Sequence, residues 1–169
     1  MTGLLALEDG RVFSGIGWGA DGVQTGELVF NTSMTGYQEI LTDPSYYKQI
    51  VTMTVSHVGN TGINIEDVES EKVWVSGFVV RSLSPVVSNW RNRGDLNGYL
   101  REQGVIGLSE VDTRALVRHI RSKGVMRAAI ANGEQAKNAQ ALIELARQSP
   151  DMSGWNLVDD VTTPEAYNW

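Results

Sequence analysis

Residues 73–81 read VWVSGFVVR, a run nearly continuous in apolar side chains. A strand with one wet face alternates apolar and polar residues, whereas a run of this kind fits a central strand buried on both faces. Such a strand needs other elements packed on either side of it. The flanking sequence supplies them.

Residues 4–7 and 11–18 flank Glu8-Asp9-Gly10, whose Asp-Gly step predicts a hairpin between two β-prone runs. Residues 19–26 are polar and glycine-rich and predict a loop, after which ELVFN at 27–31 fits a third strand. Tyr37, Ile40 and Leu41 then fall at i, i+3 and i+4, and a short helix over 35–42 closes at Asp43-Pro44. QIVTMTVS at 49–56 predicts a half-buried strand, and HVGNTG at 57–62 a turn. An acidic patch at 66–71 precedes the central run.

Beyond that run, Asp95 is placed to cap a helix ending near Gln103 and Gly104, with a brief strand at 105–108. Asp112 caps the strongest helical pattern, which carries Leu116, Val117 and Ile120 on one side, cations toward its end and Gly124 beyond. A strand at 125–131 and one long helix over 134–148 come next, the latter on Ala136, Ala139, Ile143 and Ala146. Residues 151–169, with Gly154, Asp159-Asp160, Pro164 and two tryptophans, read as an exit linker. Strands early and helices late predict an α+β, layered sheet-and-helix domain over residues 1–150.

Acidic residues outnumber basic ones, 20 to 14, for a net charge of -6. That balance disfavours a general binder of the phosphate backbone, so no nucleic-acid partner is expected. The basic run RALVRHIRSKGVMR at 114–127 reads either as a solvated helix face or as a docking face for an acidic partner. With no cysteine, these residues hold no disulfide, thiolate metal site or thiol nucleophile. MTGLLALEDG lacks a cationic start and a long apolar core, and no apolar run approaches the roughly 20 residues that span a bilayer. A cytoplasmic location without membrane contact is the expectation.

Several motifs carry a chemical reading and a plainer one. GIGWGA at 15–20 approximates a dinucleotide fingerprint, but no helix follows it, so a bent strand leading into a loop is expected. Ser33 and Ser109 lack the glycines of a nucleophile elbow, and His57 and His119 read as satisfied or solvent-facing rather than as bases. A metal site from His57, Asp67, Glu69 and Glu71 matches no ligand spacing, so no metal is expected. Asp43-Pro44-Ser45 makes a tight turn without any ligand. Spacing leaves unexplained why Asn31, Thr32, Ser33, Thr35, Tyr37, Gln38 and Glu39 crowd the same neighbourhood, as recognition loops do.

FNTSMTGYQEILTDPSY, residues 30–46, closely resembles the signature of the N-terminal domain of the small, glutaminase chain of glutamine-dependent carbamoyl phosphate synthase. QIVT at 49–52, HVGN at 57–60, VSGFVVRSLS, SNWRNRGDLNGYL, and GVIGLSEVDTRALVRHIRSKGVMRAAI with its Asp112-Thr113-Arg114 marker are similar to successive segments of that family. The tail, with Leu157, Val161, Tyr167 and Trp169, looks like the passage into its second domain. Ser56 departs from the proline that many relatives carry there.

The resemblance implies a layered β/β/α, swivelling-type fold. It implies a parent protein whose second domain, a class I glutamine amidotransferase with a Cys-His-Glu triad, releases ammonia from L-glutamine. A large chain would then use ATP, magnesium and bicarbonate to make carbamoyl phosphate for arginine and pyrimidine synthesis. On that reading this domain carries no catalytic residue and no cofactor. It docks the large chain, and Ser45 borders the glutamine site from across the domain boundary. The cysteine would lie beyond residue 169, past the linker at 151–169, and the rival expectation is a free-standing binding or scaffold module that reuses the domain.

Overall fold

At Glu8-Asp9-Gly10 the chain reverses as its sequence predicts: the Leu7 amide donates to the Arg11 carbonyl at 2.8 Å, and the Arg11 amide donates to the Asp9 carboxylate at 3.0 Å. Gly10 takes a φ of 96°, a conformation open to glycine. The hairpin so formed joins β1 (Thr2–Leu7) to β2 (Val12–Gly19), antiparallel, with Leu5 opposite Phe13. The computed structural model describes residues 1–152, 154–163 and 165; Pro164, Tyr167 and Trp169 lie outside the described residues.

Seven strands close into a barrel in the order β1, β2, β8 (Ile106–Ser109), β6 (Gly77–Val79), β4 (Gln49–Met53), β3 (Gly22–Asn31) and β9 (Met126–Asn132), which returns to β1. The pairs β3–β4, β4–β6 and β6–β8 are parallel, and the rest are antiparallel. Parallel neighbours need crossovers. α1 (Tyr37–Thr42) lies in the connection from β3 to β4, and α2 (Leu96–Glu102) in that from β6 to β8. A separate parallel pair joins β5 (His57–Val58) to β7 (Ser82–Leu83).

Alternation along each strand sorts the side chains into three packed groups. Leu5, Leu7, Leu28, Ile50, Val79, Ile106, Leu108, Ala128 and Ile130 face inward together, with Leu116 and Ile120 of α3 (Thr113–Lys123) packed against them. The opposite faces of β4 and β6, through Val51, Met53 and Phe78, pack on Ile40 and Leu41 of α1 and on Leu96 and Leu100 of α2. Ala6, Ala129 and Ala131 pack under Leu142, Ile143 and Ala146 of α4 (Ala139–Gln148). The central run is therefore covered on both sides, and the α+β expectation holds as a strand-rich sheet mixed with helices.

Several local expectations are corrected. The predicted loop over 19–26 is strand from Gly22, because Val23, Gln24 and Thr25 pair with Ala131, Ile130 and Ala129 of β9. β4 is not half-buried: Ile50, Val51, Thr52 and Met53 are all buried, since both of its faces are covered. Of the run at 73–81 only Gly77–Val79 is ladder strand; the Trp74 amide leaves the ladder to donate to the Leu41 carbonyl and the Ser76 amide to that of Gln49. The long helix over 134–148 is broken into a 3-10 turn, Gly133–Lys137, and α4, because the Asn138 side chain accepts the Ala141 amide at 3.0 Å and starts a new helix. The predicted linker contains α5 (Val158–Val161).

Candidate functional site

β3 ends at Asn31, and the side chain of Asn31 governs the loop after it. Its Oδ1 accepts the Ser33 amide at 2.7 Å, turning the loop, and its Nδ2 donates to the Tyr46 hydroxyl at 3.0 Å. The second bond ties the 32–35 loop to the 3-10 turn Pro44–Tyr46. Asp43 shapes that turn by accepting the Ser45 amide at 2.8 Å, and Pro44 sets its first dihedral. Thr32, Ser33, Met34 and Thr35 are exposed, and so is Ser45. These residues form one rim at the end of β3.

Tyr37, Gln38 and Thr42 of the stretch face the other way, while Glu39 is only half-buried. The buried Gln38 donates through Nε2 to the Asn64 carbonyl at 2.6 Å and accepts the Asn64 amide on Oε1 at 3.0 Å. Thr42 donates to the Gln38 carbonyl and accepts the Glu69 amide, both at 2.9 Å. The Tyr37 hydroxyl gives its single hydrogen to the Gly62 carbonyl at 2.6 Å, so Thr61 is the donor in their 2.8 Å bond. Burial pushes the Tyr37 phenol above its ordinary value, keeping it a donor. α1 is thus riveted to the 61–70 loop, and the crowding of polar residues has a structural half as well as an exposed one.

Past the turn, Lys48 holds a left-handed φ of 61°. Its ammonium lies 4.9 Å from the Tyr47 ring, 4.5 Å from the Trp155 ring and 3.7 Å from the Asp160 carboxylate. Trp155 and Asp160 thus lie against Lys48, three residues from Ser45. Tyr47 stacks edge-on against Trp74 at 5.5 Å, and the Trp74 indole donates to Ser70 at 2.7 Å.

The other sequence candidates are placed elsewhere. Gly15 and Gly17 lie within β2, where a Cβ would collide with Ser109 and Asn132 respectively, and Gly19 turns the chain at φ 72° with no helix after it. The bent-strand reading of GIGWGA therefore holds. His57 is exposed in β5; His119 donates from Nε2 to Asp9 at 2.6 Å and accepts Arg11 on Nδ1 at 3.1 Å, because a guanidinium can only donate. Among the described residues His119 meets a serine only through its backbone carbonyl, which accepts the Ser122 hydroxyl at 2.8 Å, and its ring nitrogens are taken by Asp9 and Arg11. The buried Ser109 donates to the Ile16 carbonyl at 3.3 Å, and the Asp67 carboxylate is committed to Arg91 and Asn64. Among the described residues no three His, Cys, Asp or Glu side chains gather as metal ligands.

A cluster that the sequence reading passed over sits inside the barrel wall. Asn132, fully buried, donates through Nδ2 to the carbonyls of Trp18 at 2.7 Å, Ala20 at 3.1 Å and Gly107 at 3.2 Å. It fits because Gly3 and Gly17 opposite it lack a Cβ. Glycines at every second position of a strand, paired with one asparagine ending another, are the signal for it.

A family model for the carbamoyl-phosphate synthase small chain, CPSase domain, matches residues 5–130. The carbamoyl phosphate synthase small chain of Streptomyces avermitilis is 54% identical over 97% of this chain and 43% of its own length. That of Vibrio parahaemolyticus is 52% identical over 98% and 44%, and that of Aquifex aeolicus 52% over 99% and 45%. The chain spans less than half the length of these curated relatives. From the match across most of its residues, the chain belongs to the carbamoyl-phosphate synthase small chain family, to which it contributes the CPSase domain.

Proposed function

We propose that this chain is the N-terminal, non-catalytic part of a carbamoyl phosphate synthase small chain, working in a cytoplasmic enzyme that draws ammonia from L-glutamine. A domain over 1–150, folded as the layered β/β/α, swivelling-type unit, would dock a large chain that binds ATP and magnesium. Residues 151–169 would lead toward a glutaminase domain whose cysteine performs the cleavage, since a thiolate is needed and this chain has no cysteine. Residues of this domain would hold no cofactor.

The observation that carries the reading is the rim at the end of β3, within a chain 52–54% identical to proteins of that name. There the exposed Ser45 hydroxyl stands on a turn fixed by Asp43 and tied to Asn31 through Tyr46. A hydroxyl donates and accepts at once, which suits the α-ammonium and carboxylate of an amino acid. Alone it would bind glutamine very weakly, so it serves as one wall of a shared pocket.

The test uses the complete synthase. Ser45→Ala should raise the KM for glutamine while leaving ammonia-dependent synthesis unchanged; equal kinetics with glutamine would remove Ser45 from the site. The 169-residue chain alone should release no glutamate from glutamine.

A further inference from the structure

α3 bears Arg114, Arg118 and Arg121 at i, i+4 and i+7, one stripe on the side away from Leu116 and Ile120. With Arg81, which follows β6, these three line an open cavity of about 670 Å³ that also presents the hydroxyls of Thr54, Ser56 and Thr113. Arg118 and Arg121 also line a second open cleft, of about 630 Å³, together with Arg11 and His119. The result is a continuous cationic band across the helix.

Among the described residues, none of Arg81, Arg114, Arg118 and Arg121 forms an ion pair with a carboxylate. The one carboxylate lining the larger cavity, Asp112, is spent on capping α3 through the Ala115 amide at 2.9 Å. Like charges at i, i+4 repel, and here they stand together in a chain whose net charge is -6. Concentrated positive charge on an otherwise acidic molecule steers and orients an acidic counterpart. A small oxyanion would occupy one cleft and leave the other uncovered, whereas an extended acidic segment covers both.

We propose that the α3 arginine band is a docking surface for a carboxylate-rich segment of another protein chain, bound through guanidinium–carboxylate pairs. This goes beyond the proposed function and does not depend on it.

The test titrates the 169-residue chain into a labelled oligoglutamate peptide and follows anisotropy at low and raised salt. The peptide should bind saturably and weaken as salt rises. The variant Arg114→Gln/Arg118→Gln/Arg121→Gln should lose about tenfold or more in affinity, and Arg118→Gln alone a measurable part of that. Replacing Lys72, Arg93 and Lys137 by Gln changes net charge equally and should move affinity by no more than about twofold. The three arginines are exposed and repel one another, so the midpoint of thermal unfolding should not fall. Absence of peptide binding, an equal loss in the Lys72, Arg93 and Lys137 control, or full displacement by stoichiometric inorganic pyrophosphate would each overturn the proposal, the last by assigning a small-oxyanion cavity.

Discussion

The side-chain amide of Gln38 pairs with both backbone polar groups of Asn64, donating at 2.6 Å and accepting at 3.0 Å, as a neighbouring strand would. Both residues are buried, so neither group of Asn64 has water as a substitute. Gln38→Leu therefore strands a donor and an acceptor at once. Each costs about 1–3 kcal/mol when left unmade. The variant should lose about 2–6 kcal/mol of stability in denaturant unfolding, and Gln38→Glu should be destabilised as well, since it replaces the donating nitrogen with an oxygen.

Asn132 makes a sharper case. Asn132→Asp removes the nitrogen that serves three carbonyls and puts a carboxylate at a position with no exposure. An uncompensated buried charge costs about 3 kcal/mol or more, and the midpoint of thermal unfolding should fall most at neutral pH, where the carboxylate is ionised. Gly17→Ala attacks the same contact from the other strand by driving a methyl into the Asn132 amide. Its measured loss should exceed that of Gly94→Ala, where no neighbouring atom is met and the backbone is not left-handed.

Asp9 should give the molecule an acid-sensitive component. Burial alone raises the Asp9 carboxyl, but the Arg11 amide and the His119 ring outweigh it and hold the group below its ordinary value. A carboxylate depressed in the folded state stabilises above its unfolded value, and that contribution disappears as pH falls through the folded one. Asp9→Asn should accordingly be less stable than the parent chain at neutral pH, with the gap closing in strong acid. Thermal midpoints of the two proteins across that range check it; a constant gap would remove the linkage.

Asp43 should act through Ser45 without touching a ligand. Asp43→Ala deletes the carboxylate that accepts the Ser45 amide, leaving the hydroxyl in place on a looser turn. In the complete synthase it should change glutamine kinetics in the same direction as Ser45→Ala and spare ammonia-dependent synthesis. The pair should be less than additive, because both act on one hydroxyl.

Much of the fold was legible because it is locally encoded. The Asp-Gly hairpin, the Asp95 and Asp112 caps and the apolar face of α3 each depend on residues a few positions apart, and each is found where the sequence places it. The β3 extension was hidden because Gly22 and Gly26 are poor strand formers whose pairing is supplied by β9, distant in sequence. The break at Asn138 was hidden because helical periodicity passes through it undisturbed, while the cap that interrupts it is a single side chain. At the rim, the family motif pointed to Ser45, yet Gln38 and Tyr37 read as possible ligand groups although, with Thr42, they rivet α1 to the 61–70 loop. Residue type alone cannot tell an outward amide from an inward one; the i, i+4 spacing of Gln38 and Thr42 beside buried Leu41 was the available hint.

Because β9 returns to β1, every barrel strand already has a hydrogen-bonding neighbour on either side. No barrel strand is left as an edge to recruit a foreign strand, so the common route of extending a sheet across a subunit boundary is closed to this barrel. Whatever chain joins the barrel must be recognised through side chains, on helices, loops or outward strand faces such as that of Ile16, which leaves selectivity to charge and shape and shields the barrel from indiscriminate strand-templated aggregation.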